Sequence, residues 1–179
     1  MPGQMKRAVL AGMVLVWSAL AVGSACLTAV SVASESQELL SGREAAFDKT
    51  LAQVEAAQVE LVRGRPGAFK ALWSNRDDVT LTGGLGGAIE KGWANVSRRL
   101  DWVSSQYADG SREHEEVVRF MGQDLAYVVQ KEIIRFRVPG QTARVTQELR
   151  AVMVFRLESG AWRISHRQAD SQTIKQPAR

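Results

Sequence analysis

The chain has 179 residues, 45% hydrophobic and 23% charged, which suits one globular domain and excludes wholesale disorder. Its formal charge is +4, yet Lys6 and Arg7 sit in a leader; without them 21 basic residues face 19 acidic ones. So small an excess argues against a nucleic-acid partner, and the single cysteine, Cys26 in the leader, excludes disulfides and zinc–thiolate sites from the domain.

After Lys6-Arg7 no charge occurs until Glu35, leaving 27 mostly apolar residues. A basic start followed by an apolar run reads as an export signal. Ser31-Val32-Ala33 offers the small residues for cleavage after Ala33. The run is also long enough to span a bilayer as an uncleaved anchor. Both readings put the remainder in the periplasm or outside the cell, since Lys6-Arg7 hold the N-terminus inside. The predicted organisation is a signal peptide or membrane anchor over 1–34, a domain over 35–171 and a flexible tail over 172–179.

Residues 36–62 carry Leu39, Leu40, Phe47, Leu51, Val54 and Leu61 on a rough helical stripe. Gly64-Arg65-Pro66-Gly67 breaks it, and Pro66 opens a short helix through Phe69, Leu72 and Trp73. Asp77-Asp78 leads into a strand over 79–82. The loop Gly83-Gly84-Leu85-Gly86-Gly87 follows. It fails as a dinucleotide cradle, because Ile89 stands at the third glycine position and Glu90-Lys91-Gly92 replaces Gly-Lys-Ser/Thr. A flexible loop over a pocket mouth is the better reading. Trp93, Val96, Leu100 and Val103 mark a helix over 90–105. Four strands then follow, over 113–121, 124–138, 143–157 and 161–169, separated by Gly122-Gln123, Pro139-Gly140 and Ser159-Gly160. Helices first and a meander after define an α+β class: N-terminal helices packed on a curved antiparallel sheet.

In the last strand, unbroken alternation puts Trp162, Ile164, His166 and Gln168 on one face and Arg163, Ser165 and Arg167 on the other. His166 is therefore expected to line a pocket as a donor or base, or to be a satisfied core histidine. Glu132 shares a face with Val128, Ile134 and Phe136, so it reads either as a strand-end or rim glutamate or as an inward carboxylate, which if buried would have a raised pKa and could act as a base. Tyr127 is a candidate donor beside either. Trp73, Trp93, Tyr127 and Trp162 read as core first and as walls of an apolar cavity second, with Gln168 beside them. Arg135, Arg137, Arg150, Arg156, Arg163 and Arg167 read as a solvated or dimer-facing surface. Two histidines, His114 and His166, on separate strands make no metal site, and no cofactor motif is present.

The segments Ala71-Leu72-Trp73-Ser74-Asn75-Arg76-Asp77-Asp78-Val79-Thr80-Leu81, Gly86-Gly87 with Gly92-Trp93, Arg98-Arg99-Leu100, Asp124-Leu125-Ala126-Tyr127 and Gly160 to Asp170 together resemble the SnoaL-like group of the nuclear-transport-factor-2-like superfamily, over 38–171. The resemblance implies a cone-shaped roll with an internal pocket and dimerisation through sheet faces. Where the group commonly ends in His-x-His-Ala-Asp, this chain has His166-Arg167-Gln168-Ala169-Asp170, and Asn75 stands where a histidine often follows Trp-Ser. The expectation is an exported domain holding a small apolar or amphipathic molecule. The alternatives are an isomerase, dehydratase or cyclase with a pocket Glu or His as base, and an assembly or sensory module.

Overall fold

The computed structural model describes residues 21–171, with side chains from residue 37. Most of the leader, and the whole tail over 172–179, lie outside the described residues. The chain divides into two compact units, one ending at Ser41 and the other beginning at Gly42. In the first, the described residues are helix, where Leu39 and Leu40 are exposed rather than part of a buried stripe. Among the described residues no helix is long and apolar enough to cross a membrane.

The second unit starts within helix α1 (Ala21–Leu61), whose Phe47, Leu51, Val54, Ala57 and Leu61 are buried at three- and four-residue spacing. Helix α2 (Gly67–Lys70) buries Phe69, and α3 (Trp93–Ser105) buries Val96 and Leu100. The strands are β1 (Thr80–Gly83), β2 (Glu90–Lys91), β3 (Ala108–Met121), β4 (Leu125–Arg137), β5 (Arg144–Glu158) and β6 (Ala161–Asp170). They form one sheet in the order β2-β1-β6-β5-β4-β3. All pairings are antiparallel except β1 with β6. The α+β expectation holds, with one short strand, β2, added where the sequence suggested the start of a helix.

Bulges bend the sheet, as an extra residue on one strand does. Val117 is unpaired in β3 between Glu116 opposite Gln130 and Val118 opposite Val129. Ser165 is unpaired in β6, because neighbours Val154 and Phe155 face His166 and Ile164. The inner face packs in two clusters. One joins Phe47, Phe69, Trp73, Leu100, Phe155 and Ile164 from helices and sheet. The other joins Val62, Tyr107, Ile134, Phe136, Leu149 and Ala169. A contact of His114 Nε2 with Glu55 Oε1 at 2.9 Å and an ion pair of Arg119 with Asp48 tie α1 to the edge strand β3.

The approach of β3 to the end of α1 needs a residue without a side chain. A Cβ on Gly110 would stand 1.9 Å from the Val62 carbonyl oxygen. We expect Gly110→Ala to destabilise the domain by roughly 1–3 kcal/mol, as overpacked sites do. Gly67→Ala meets nothing within 4 Å and should leave stability unchanged or slightly raised. Urea unfolding of the two variants tests the contrast; equal midpoints would remove the steric argument.

Candidate functional site

A cavity lies between the end of α1, α3, the loop after β1 and the inner face of the sheet. Its wall is apolar over Leu61, Phe69, Leu81, Leu100, Val103, Ile134 and Leu149, and polar at Gln58, Tyr107, Arg112, Glu132 and Arg167. Its volume is about 50 Å³, against roughly 300–1,000 Å³ for pockets that hold drug-sized ligands. It suits a head group or a compact molecule.

Glu132, 1% exposed, is the acid of this wall. Arg167 grips it in a two-pronged pair, Nη1 donating to Oε1 at 2.9 Å and Nη2 to Oε2 at 2.7 Å. Gln130 Nε2 donates to Oε1 at 2.6 Å. Arg112 Nη2 also stands 3.1 Å from Oε1, with a side chain only 2% exposed. That contact is an ion pair without hydrogen-bond alignment: Arg112 Nε and Nη2 are buried with no hydrogen-bond partner. The carbonyl oxygen of the Gln58 side chain is buried and unpartnered too.

Burial acts against the charged form of Glu132, but the nearby Arg167 and Arg112 charges and the hydrogen bonds from Arg167 and Gln130 outweigh it and hold the carboxyl well below its usual range. The reading of a raised pKa is thereby corrected: Glu132 is buried and not at the rim, and it is a locked carboxylate and not a base. Burial pushes the Tyr107 phenol up to about 12, with the Arg167 charge opposing. Tyr107 OH lies 3.4 Å from Gln147 Oε1. Gln147 Nε2 in turn donates to the Gly84 carbonyl at 2.7 Å, and Arg99 Nη2 donates to the Gly86 carbonyl, so two side chains hold the glycine loop. The Arg99 guanidinium also sits over the Trp102 ring, 4.2 Å from its centroid.

Of the candidate site residues His166, Glu132, Tyr127, Trp73, Trp93, Trp162 and Gln168, Glu132 alone lines this cavity. The expected phase of the last strand is corrected by the Ser165 bulge. Trp162 and Ile164 are buried as expected, but beyond the bulge Arg167 and Ala169 turn inward, His166 is only half-buried and Gln168 is exposed. His166 Nδ1 is 2.7 Å from Thr80 Oγ1 on β1. Burial lowers its pKa, with the Thr80 hydrogen bond opposing. Arg167 correspondingly leaves the surface set in which the sequence placed it. Tyr127 lies opposite Val154 on the outer face and stacks on Phe120 at 5.6 Å. Trp162 is core, 5.2 Å from the Phe47 ring. Trp73 is buried with an unpartnered indole nitrogen, and with Trp93 it borders an open cleft on the surface instead of the internal cavity. Tyr107, Arg112 and Gln58 escaped sequence reasoning. Arg112 lies within Gly110-Ser111-Arg112-Glu113-His114-Glu115-Glu116, which reads as solvated edge, and only its pairing opposite Ile134 turns it inward.

Helices packed into a curved, unclosed sheet with a cavity between them define the cone-shaped α+β domains of nuclear-transport-factor-2-like proteins. The chain belongs to the SnoaL-like domain family, whose model matches residues 63–173. Solved structures agree on the fold. One is assigned provisionally as a dehydratase of the NTF2-like family from Streptomyces avermitilis: 20% identity, TM-score 0.58, covering 71% of this chain and 99% of that one. Another, a provisional scytalone dehydratase from Novosphingobium aromaticivorans, has 12% identity and TM-score 0.59 over 74% and 86% of the two chains. A third, a provisional calcium/calmodulin-dependent protein kinase type II association domain from Thiobacillus denitrificans, has 22% identity and TM-score 0.53 over 72% and 93%. No curated protein matches the chain in sequence.

Removing one partner of a buried ion pair strands the other, so Glu132→Gln should destabilise the domain by about 3–5 kcal/mol in denaturant titration. The wild type should also unfold in acid. A native pKa below the unfolded value gives stability that is complete above the ordinary carboxylate range and lost as pH falls through and below it. An unfolding midpoint that stays constant from pH 7 to pH 3 would contradict the ion-pair account.

Proposed function

We propose that the domain is a small-molecule-binding module that works outside the cytoplasm, with the internal cavity as its site. The observation that carries this reading is the state of Glu132. The acid in the cavity wall accepts three hydrogen bonds from Arg167 and Gln130 and is held ionised well below its usual range, so near neutrality it is too weak a base to take a proton from a substrate. The phenol of Tyr107 is likewise held in its neutral form. Two relatives by fold are provisionally assigned as dehydratases, but a shared fold fixes no chemistry. The uncharged segment after Lys6-Arg7 supports export, with the domain either released or held at the membrane. The full chain, purified from its own host without denaturation, should carry a bound small molecule in native mass spectrometry. Val103→Trp, which fills the cavity from α3, should lose it. Unliganded mass alone in every preparation, with thermal stability indifferent to small-molecule screens, would sink the reading.

We further propose that the outer face of the sheet joins two copies of the chain. Val118, Phe120 and Leu125 are 46%, 52% and 48% exposed there, beside half-buried Tyr127, Val129, Val152 and Val154. Arg150 and Arg156 rim the patch, and Arg156 is fixed by Asp78 and Glu158. Contiguous apolar surface rimmed by charge is the pattern of an interface. Val154→Arg should shift the protein toward monomer in sedimentation velocity; a wild type that stays monomeric at high concentration excludes the pairing.

A further inference from the structure

The cavity holds more positive charge than its acid can neutralise. Two buried guanidiniums, Arg112 and Arg167, face one carboxylate, Glu132. Glu55, the other acid acting on Arg112, is half exposed and engaged with His114. Arg99 adds a third guanidinium to the cavity wall. Glu132 already accepts three hydrogen bonds from Arg167 and Gln130. Arg112 Nε and Nη2 are both buried without a hydrogen-bond partner, although Nη2 stands 3.1 Å from Glu132 Oε1 as an ion pair. A guanidinium stays protonated in proteins, so this charge cannot be relieved by losing a proton. Buried donors are almost always satisfied, and a buried surplus cation is disfavoured more strongly still.

We propose that the ligand of this cavity is a small organic carboxylate whose head group accepts from Arg112 Nε and Nη2, the two buried donors without a hydrogen-bond partner, with its hydrocarbon part against Leu100, Val103 and Leu149. The inference rests on the binding reading above and names its ligand class. The Nε and Nη2 of one guanidinium present two parallel donors, the fork that matches two carboxylate oxygens. The volume, about 50 Å³, fits a head group of three non-hydrogen atoms and little more while the glycine loop is held by Arg99 and Gln147. Gln58 adds a buried acceptor, so a ligand that also bears a hydroxyl near its carboxylate is favoured over one that does not. Glu132 then has a positioning role: it fixes Arg167 and neutralises one of the two buried charges, so that Arg112 keeps its positive charge for one carboxylate.

Thermal unfolding of the full chain with sodium propionate and with propionamide, at matched ionic strength, tests this. The two probes have nearly the same shape and differ in charge. Propionate should raise the melting temperature saturably and propionamide should not. Arg112→Met should weaken propionate at least tenfold. Because it removes a surplus charge and leaves Glu132 paired with Arg167, the unliganded variant should melt no lower than wild type. A purely structural Arg112 would give the opposite result, a lower melting temperature. Should Arg112→Met fail to fold, that failure counts against the surplus-charge account. The Arg112 Nε–H resonance of the wild type then decides, and no movement on adding propionate overturns the proposal. Equal response to propionamide, or unchanged propionate response in a folded Arg112→Met, overturns it as well. A neutral molecule found in native mass spectrometry would defeat the carboxylate and leave the binding reading standing.

Discussion

A carboxylate buried to 1% exposure is tolerable only if cations and donors arrive with it. Glu132 on β4 draws its partners from different strands: Arg167 from β6, Arg112 from β3 and Gln130 from its own. None is near it in sequence except Gln130. Each must therefore be delivered by strand register, and the register of three strands is fixed by one charge. If the far half of β6 kept an unbroken pleat, Arg167 would face outward and Glu132 would lose both prongs of its pair. The Ser165 bulge prevents that. The bulge and the ion pair are two views of one constraint.

The inner and outer faces of the sheet consequently do different work. Inside, the polar cluster sits at the boundary between two hydrophobic clusters, where the core gives way to the cavity. The same set of side chains reaches the glycine loop, because Tyr107 meets Gln147 and Gln147 holds the Gly84 carbonyl. The loop is anchored at its base as well. A Cβ on Gly83 would fall 1.4 Å from the Ala169 oxygen, so only glycine lets the loop leave β1 alongside β6. Outside, the aromatic pair of Phe120 and Tyr127 and the valines beside them carry no polar network of that kind.

Much of the fold was legible because its signals are periodic. The buried spacing of Phe47, Leu51, Val54 and Leu61, the turn pairs Gly122-Gln123 and Ser159-Gly160, and the alternation of Leu149 to Leu157 each report local structure that tertiary contacts merely confirm. Glu132 was legible for the same reason: β4 alternates without interruption through it. The remaining site residues were not. Arg167 was assigned to the wrong face because a bulge leaves no mark in composition, and one extra residue reverses every side chain beyond it. Arg112 sits among glutamates and looks solvated, since its inward phase comes from its pairing opposite Ile134 and not from anything local. Tyr107 falls in the turn between a helix and a strand, where no pattern distinguishes inside from outside.

The bulge also means that β6 holds one residue more than its ladder uses. The two halves of the strand are phased independently: Trp162 and Ile164 by the aromatic core, Arg167 and Ala169 by the charge cluster. A slip of the second half by a single position would carry Arg167 out and bring His166 in. The wall would pass from a cation that never titrates to an imidazole that does so near neutrality, without any change of sequence. Two kinds of pocket chemistry are thus stored side by side in one strand, and a backbone irregularity selects between them.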